Sequence, residues 1–190
     1  EQVAKDPAKV KVINGIKVIE LPTVVAEKLL YFVPESKSPH GVDLVPGGEY
    51  VIVSGKLDPH VSVYSAEKIK KAIADQNFEG KDAYGVPILK YDACLEAHIP
   101  TGLGPLHSVF DNQGNGYTSH FLDSTVVKWT LGPPYNPPEK AWKVVDKVAV
   151  QYNIGHLQAP GSNTKKPWGK YIVALNKWSI DRFPTVGTLK

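Results

Sequence analysis

Three segments of the sequence share one layout, and this internal repeat limits the fold more than any other feature does. They are SPHGVDLVPGGEYVIVSGKLDPHVSVYS from Ser38, GPLHSVFDNQGNGYTSHFLDSTVVKWTL from Gly104, and NIGHLQAPGSNTKKPWGKYIVALNKWSIDRF from Asn153. Each begins with a small residue or proline near a histidine, followed by a predicted strand, a glycine-bearing turn and a strand led by an aromatic residue. Such repetition indicates stacked modules of several strands each.

The histidines at the head of these segments are His40, His107 and His156. The tyrosine that leads the next strand follows 10 residues later in the first two segments and 15 residues later in the third, whose turn is longer. A polar residue then ends that strand six residues after the tyrosine, at Lys56, Asp123 and Lys177. The repeat thus gives the three histidines equivalent positions.

The rest of the chain also predicts short strands joined by turns. It contains 16 glycines and 16 prolines, and Asn14-Gly15 divides an alternating Val/Ile/Lys segment as a two-residue hairpin turn would. One helix is predicted over SAEKIKKAIADQNF, with Ser65 as its N-cap. One helix is too little for a βαβ topology, so we predict an all-β chain.

Modules of this size with several strands each are typical of β-propeller blades. We therefore predict that residues 1–190 form one partial β-propeller domain of about three to four blades, with one short inserted helix. Equivalent residues of successive blades lie at equal distances from the propeller axis, so His40, His107 and His156 can face one central channel.

Composition excludes several classes of function. The chain has 42% hydrophobic and 22% charged residues, without an apolar run of membrane-spanning length or a signal-peptide core near its start. A net charge of +3 with a single arginine, Arg182, argues against nucleic-acid binding. The lone Cys94 cannot form an internal disulfide and is expected to be a buried structural thiol.

Three converging histidines without a nearby cysteine suit metals that prefer imidazole, namely copper, zinc, nickel or iron. The alternative is that each histidine satisfies backbone groups of its own blade. Lys177 is by default a solvated lysine, and beside a metal cluster it becomes a candidate proton donor. The other three histidines do not share this register and are expected to be surface or strand-edge residues: His60, His98 and His120.

Long motifs in these segments resemble the nitrous-oxide reductase family of periplasmic copper enzymes. They are KSPHGVDLVPGGEYVIVSGKLDPHVSVYS, GLGPLHSVFDNQGNGYTSHFLDSTVVKW, and YNIGHL followed by GKYIVALNKWSIDRF. The resemblance is strongest to the branch that carries GKLDPHV and extends from about Val18 to Gly187. It implies a seven-bladed propeller that reduces N2O to N2 and water, the last step of denitrification, at a tetranuclear copper–sulfide centre called CuZ.

Seven histidines hold CuZ in this family, and three of them correspond to residues of this chain. The PHG motif gives His40, GLGPLH gives His107, and Y-x-x-GH gives His156. The lysine of NK-W/F-S, here Lys177, lies in the family near the copper edge where substrate is thought to bind. A calcium site near CuZ is also implied, with Ser38 where many members have asparagine.

The resemblance further implies a periplasmic homodimer that pairs CuZ of one subunit with the dinuclear CuA centre of the other. A c-type cytochrome or cupredoxin would be the electron donor. The other CuZ ligands and the C-terminal cupredoxin domain that carries CuA are absent from these 190 residues, so the chain alone is expected to be inactive.

Two competing hypotheses remain. The first is a metal-free propeller scaffold or binding module. The second is a small zinc or copper enzyme complete in this chain, which would need a further ligand and a closed fold.

Overall fold

The structure is a computed structural model, and it describes residues 2–177. Within this range short antiparallel strands dominate. The strands are β1 (Lys11–Ile13), β2 (Ile16–Val18), β3 (Pro39–Leu44), β4 (Tyr50–Gly55), β5 (His60–Ser65), β6 (Phe78–Lys81), β7 (Pro87–Leu89), β8 (Leu95–Pro100), β9 (Pro105–Phe110), β10 (Asn115–His120), β11 (Thr125–Thr130), β12 (Val144–Ala149), β13 (Ile154–Gln158) and β14 (Val173–Asn176). The α-helices are α1 (Leu21–Ala26), α2 (Ala66–Ala74) and α3 (Tyr91–Cys94).

Two four-stranded antiparallel sheets form the main body of the fold. One has the strand order β3-β4-β5-β8 and the other β9-β10-β11-β12, so each is a meander of the kind found in propeller blades. Strands β13 and β14 pair as the beginning of a third such unit within residues 2–177. The partial β-propeller predicted from the repeat is confirmed.

The core lies between the two four-stranded sheets. Valines and isoleucines of β4, β5 and β8 meet aromatic side chains of β9 and β11, and all of them are almost fully buried. Trp129 is central to this packing, because its ring contacts Phe110 edge-to-face with centroids 6.4 Å apart and its indole N–H donates to Thr118 Oγ1 at 2.9 Å. Burial of such side chains stabilises a fold by about 1.5–3 kcal/mol each.

The proline-rich segment after β11 packs back onto the first sheet. Tyr50 donates its hydroxyl to the Pro133 carbonyl oxygen at 2.7 Å, and Tyr135 donates to Glu49 Oε2 at 2.6 Å. Trp142 closes over Tyr50 with ring centroids 4.9 Å apart. These contacts fix the two sheets against one another.

The helix content exceeds the prediction of a single helix. α2 begins directly after Ser65, whose Oγ accepts the Lys68 N–H at 3.3 Å as predicted for an N-cap. Helices α1 and α3 were not predicted: α1 is a six-residue helix rich in β-branched residues, and α3 has only four residues. Neither is long enough to give a clear helical periodicity.

The described residues fall into two compact units. One comprises the residues up to Pro34 with Lys70–Ala93, and the other comprises Glu35–Ile69 with the residues from Cys94 onwards. The first unit contains the predicted hairpin β1–β2, in which Asn14 and Gly15 both adopt positive φ. The second unit contains both four-stranded sheets and the strands that carry His40, His107 and His156.

Cys94 is fully buried at the end of α3, as expected for a structural thiol. Burial also raises the pKa of this thiol, which keeps it protonated and unreactive. Among residues 2–177, none of the helices combines the length and the apolar character needed to cross a membrane.

Candidate metal centre

The three repeat histidines lie on the first strand of three successive sheets. His40 is on β3, His107 is on β9 and His156 is on β13. The His107 ring lies between the other two: its centroid is 4.9 Å from that of His40 at an interplanar angle of 82°, and 4.3 Å from that of His156 at 18°. Residues far apart in the sequence thus form one imidazole cluster.

Each of these histidines sits in a β-bulge. The register of the first strand gains one residue over its partner strand in all three sheets, and the irregular segments are Pro39–Gly41, Pro105–Ser108 and Ile154–Leu157. A bulge leaves one residue outside the regular alternation of faces and redirects its side chain. Each bulge therefore lets its strand keep one buried face while the histidine side chain points toward the cluster.

Gly41 permits the close approach of β3 to β9. A Cβ atom at this position would lie 1.8 Å from the Leu106 carbonyl oxygen and 3.2 Å from His107 Nδ1. Because the nearest atom belongs to the backbone, no side-chain rotation could relieve the clash. The glycine next to His40 is thus a condition for bringing the first two imidazoles together.

His107 is held as a neutral imidazole. Burial, and then the positive charges that His156, His40 and Lys177 carry when protonated, lower its pKa to about 4. Its Nε2 atom is buried and has no hydrogen-bond partner among the described residues. A buried ring nitrogen without a partner, whether it carries a proton or a lone pair, is costly unless something else satisfies it.

His40 is also biased toward the neutral form. Burial is the largest cause of its lowered pKa, followed by the charges of Lys177, Lys56 and His156. The residue as a whole is nonetheless exposed to solvent, so its ring is available to a ligand. Neutral imidazole is the form that binds metal ions.

Lys177 follows β14 and lies next to this cluster. Its backbone N–H donates to the Asn153 carbonyl oxygen at 2.9 Å, and its side-chain stem runs past Gly155, the residue before His156. The Lys177 charge acts on the pKa of both His40 and His107. The two other repeat corners are built alike, since Lys56 and Asp123 donate their backbone N–H groups to Ser38 and Leu103.

Sequence reasoning missed Asp43, a partly buried carboxyl group beside the cluster. Its Oδ2 accepts the Ser108 N–H at 2.7 Å, which joins β3 to β9. Burial raises its pKa to about 6, against opposing effects of the Ser108 hydrogen bond and the charge on His156. The only signal in the sequence is an acidic residue inside the apolar strand GVDLV.

Asp43, His107 and His156 line an open cleft of about 540 Å³. Among the described residues, the three side chains whose ligand atoms all lie within 4.8 Å of one another are Asp58, His60 and His98, away from this cleft.

The remaining histidines differ from one another. The expectation that His120 is a surface or strand-edge residue is wrong, because it is fully buried with Nε2 2.9 Å from Thr101 Oγ1. It is a core histidine at the end of β10, and burial lowers its pKa to about 4. His60 and His98 are partly exposed on β5 and β8, with ring centroids 4.1 Å apart.

The fold and the site together define a class of protein. It is a partial β-propeller that carries an imidazole cluster on the first strands of its sheets. Residues 147–190 match the family described as nitrous oxide reductase propeller repeat. The chain is 37% identical over 185 residues to a nitrous-oxide reductase of Cupriavidus necator, which covers 96% of this chain and 27% of that protein. It is 38% identical over 165 residues to one of Stutzerimonas stutzeri, which covers 85% and 24%.

The chain therefore belongs to the nitrous-oxide reductase family. It spans about a quarter of the length of these curated relatives, 27% for the Cupriavidus necator protein. Among solved structures it is similar to a Kuenenia stuttgartiensis hydrazine synthase, with a TM-score of 0.46 and 9% identity over 70% of this chain and 29% of that chain.

Proposed function

We propose that this chain is part of the propeller of an enzyme that reduces N2O to N2 and water, the last step of denitrification. His40, His107 and His156 would be ligands of a tetranuclear copper–sulfide centre, and Lys177 would act on the substrate. The observation that supports this most strongly is the convergence of three imidazoles, with ring centroids 4.9 and 4.3 Å apart, from three separate sheets. Residues so distant in sequence meet only because the repeat positions them.

The residues present fit copper. Imidazole nitrogen is a favoured copper donor, and the buried His107 Nε2 has no hydrogen-bond partner among the described residues that would compete with a metal ion. The pKa of about 4 at His107 means that the ring is neutral near neutral pH, so metal binding does not have to begin with loss of a proton from an imidazolium. A reduced copper–sulfide cluster would supply the electrons and the binding site for N2O, a weak ligand.

The protein would contribute orientation of the imidazoles. The bulges direct the three rings toward one another, and the Asp43–Ser108 hydrogen bond of 2.7 Å links the strands that carry His40 and His107. Partners that fix ligand orientation typically matter about 10–100-fold in metal affinity or activity. Asp43 is therefore proposed as a positioning residue of this centre.

Lys177 would hold a proton near the substrate oxygen. Its ammonium group could donate a hydrogen bond as negative charge develops there, which stabilises a transition state more than a ground state. The influence of its charge on His40 and His107 supports this position beside the cluster. The second proton of the reaction is not assigned to a residue of this chain.

The assembly implied by the family is part of the same proposal. The enzyme would be a periplasmic homodimer in which CuA of one subunit passes electrons to CuZ of the other. A c-type cytochrome or cupredoxin would be the electron donor. A calcium ion near the cluster belongs to this assembly as well. Ser38 lies where many family members have the asparagine of this calcium site. It adopts a positive φ of 57°, and its backbone carbonyl oxygen accepts the Lys56 N–H at 2.8 Å.

The test is substitution of His107 by alanine in the full-length protein that contains this chain. We expect loss of the sulfide-to-copper absorption and of N2O reduction, whereas Asp75→Asn, at an exposed carboxylate paired with Lys71, should retain both. A wild-type protein that takes up neither copper nor sulfide would favour a metal-free scaffold. Full cluster absorption in the His107 variant would remove His107 from the ligand set.

A further inference from the structure

A second group of metal-binding side chains lies away from the repeat histidines. Asp58, in the turn between β4 and β5, is joined by His60 at the start of β5 and His98 on β8. One ligand atom from each lies within 4.8 Å of the other two. All three residues belong to the same compact unit as the two four-stranded sheets.

The sheet register brings the two histidines together. His60 pairs with Pro100 and Ser62 pairs with His98, so His60 and His98 are diagonal neighbours on one face of the sheet. Their rings stack with centroids 4.1 Å apart at an angle of 27°. The pairing therefore fixes both imidazoles before any ligand binds.

The Asp58 turn is fixed in the same way. Asp58 donates its backbone N–H to the Gly55 carbonyl oxygen at 2.9 Å, and its Oδ1 accepts the His60 backbone N–H at 3.0 Å. The Ser36 side chain also hydrogen-bonds to the carboxyl group. These bonds hold the carboxylate at the edge of the two stacked rings.

The distances are close to those of a metal site. Asp58 Oδ1 lies 2.8 Å from His60 Nδ1 and 3.7 Å from His98 Nε2. A tetrahedral ion with bonds of about 2.0–2.1 Å to nitrogen and oxygen holds neighbouring ligand atoms roughly 3.3 Å apart, and the two observed distances lie on either side of this value. Shifts of about half an ångström would complete the geometry.

We propose that Asp58, His60 and His98 form a separate binding site for one divalent ion of the zinc type, with water at the open position. Two imidazoles and one carboxylate are a ligand set that such ions take in proteins. A purely structural role explains the Asp58–His60 hydrogen bond but not the position of His98. His98 Nε2 faces the same carboxylate oxygen at a distance too long for a hydrogen bond. An ion between the three atoms would engage all of them.

This site does not share a ligand with the repeat-histidine cluster. His60 and His98 lie on the third and fourth strands of the sheet order β3-β4-β5-β8, whereas His40 lies on the first. Neighbouring strands are about 4.8 Å apart, so His60 is roughly 10 Å from the strand of His40. The proposal consequently stands whether or not the cluster binds copper.

The test is a titration of the full-length protein, isolated with its own metal content, with ZnCl2 in a calorimeter. The wild type should bind one more zinc ion per chain than His60→Ala. Two further variants, Asp58→Asn and His98→Gln, should lower the zinc affinity by about 100-fold or more, since even indirect changes around metal sites lower the affinity by about 10–100-fold. Asp58→Asn keeps an acceptor for the His60 N–H. Asp75→Asn, an exposed carboxylate paired with Lys71, is the matched control and should bind zinc as the wild type does.

Diffraction at the zinc absorption edge gives a readout that does not depend on the stability of the variants. Wild-type crystals soaked in ZnCl2 should show an anomalous peak between Asp58, His60 and His98. Equal zinc binding by the wild type and the three site variants, or a soaked crystal without this peak, would overturn the proposal.

Discussion

At the residue scale, His107 connects the other parts of the candidate metal centre. Its ring contacts both His40 and His156, and its strand is bonded to Asp43. The neutral state of His107 follows from burial and from the surrounding positive groups rather than from an acidic partner. A metal ion that binds this ring near neutral pH therefore meets a neutral imidazole and not an imidazolium.

Lys177 gives the first prediction at this scale. In the full-length protein, Lys177→Ala should lower N2O turnover by about 100–1,000-fold without loss of copper, since removal of a positioned donor has effects of this order. The measurement is turnover per loaded cluster. Lys56→Ala is the matched control, because the charge of Lys56 acts on the pKa of His40 but is not among the causes at His107. Unchanged turnover in Lys177→Ala would remove its proposed role.

His120 gives a prediction on pH. Its folded-state pKa of about 4 lies below the ordinary 6.5, so the unfolded chain takes up the proton first as the pH falls. The stability that neutral His120 contributes is complete above pH 6.5 and is lost progressively down to pH 4, with a total of about 3 kcal/mol at 1.36 kcal/mol per pKa unit.

Thermal or urea unfolding of the full-length protein at several pH values between 7 and 4 checks this expectation. His120→Asn should be less stable at pH 7 but should lose less stability on acidification. Parallel pH profiles for the wild type and the variant would show that the buried imidazole does not set the slope.

At the scale of elements, the three bulges distinguish this fold from a regular strand meander. Each adds one residue to the first strand of a sheet at the histidine position. The repeat in the sequence predicted the equivalence of the three histidines and the strands that hold them. It could not predict the bulges, because a bulge is defined by the register with a partner strand and not by the local pattern of residues.

Gly41 gives the prediction at this scale. Gly41→Ala should destabilise the full-length protein by about 1–3 kcal/mol or more, because the new methyl group would overlap the Leu106 carbonyl oxygen. It should also reduce copper loading, since β3 and β9 would separate. Gly80→Ala on β6 is the matched control, as a Cβ there meets no atom within 4 Å. Melting temperature and copper content of both variants test this, and equal losses would contradict it.

Other elements were beyond sequence reasoning for similar physical reasons. Strand β8 completes the first sheet only after an excursion through α2, the β6–β7 hairpin and α3, so its pairing with β5 depends on long-range contacts. The Asp58 site was missed for the same reason, since His98 reaches Asp58 across that pairing. The aromatic-led strand predicted in the third repeat segment corresponds to β14, and Trp178, which follows it in the sequence after Lys177, lies outside the described residues.

At the scale of the whole molecule, one side of strand β3 is uncovered within residues 2–177. Val42 is 70% exposed and Leu44 is 59% exposed, whereas Val45 on the opposite side is buried. In a closed propeller the first strand of each sheet has neighbours on both sides. We expect parts of the full-length protein outside this chain to cover this apolar face.

Val42→Lys tests that expectation. In the full-length protein it should lower stability by about 1.5–3 kcal/mol, the usual loss when a buried valine side chain is removed from its contacts. Val145→Lys is the control, because Val145 lies on β12, the last strand of its sheet, and is expected to stay in solvent. Comparable melting temperatures for Val42→Lys and the wild type would mean that this face is not covered.

The bulges also bear on how such a site can change over time. A bulge accommodates one extra residue, so that residue can be inserted or deleted without turning the neighbouring side chains from the core to the surface. The irregular points of an otherwise regular repeat are thus the places where one ancestral blade could gain or lose a ligand independently of the others. A propeller of ideal strands would be easier to build, but each new ligand would then disturb the packing that holds its blade together.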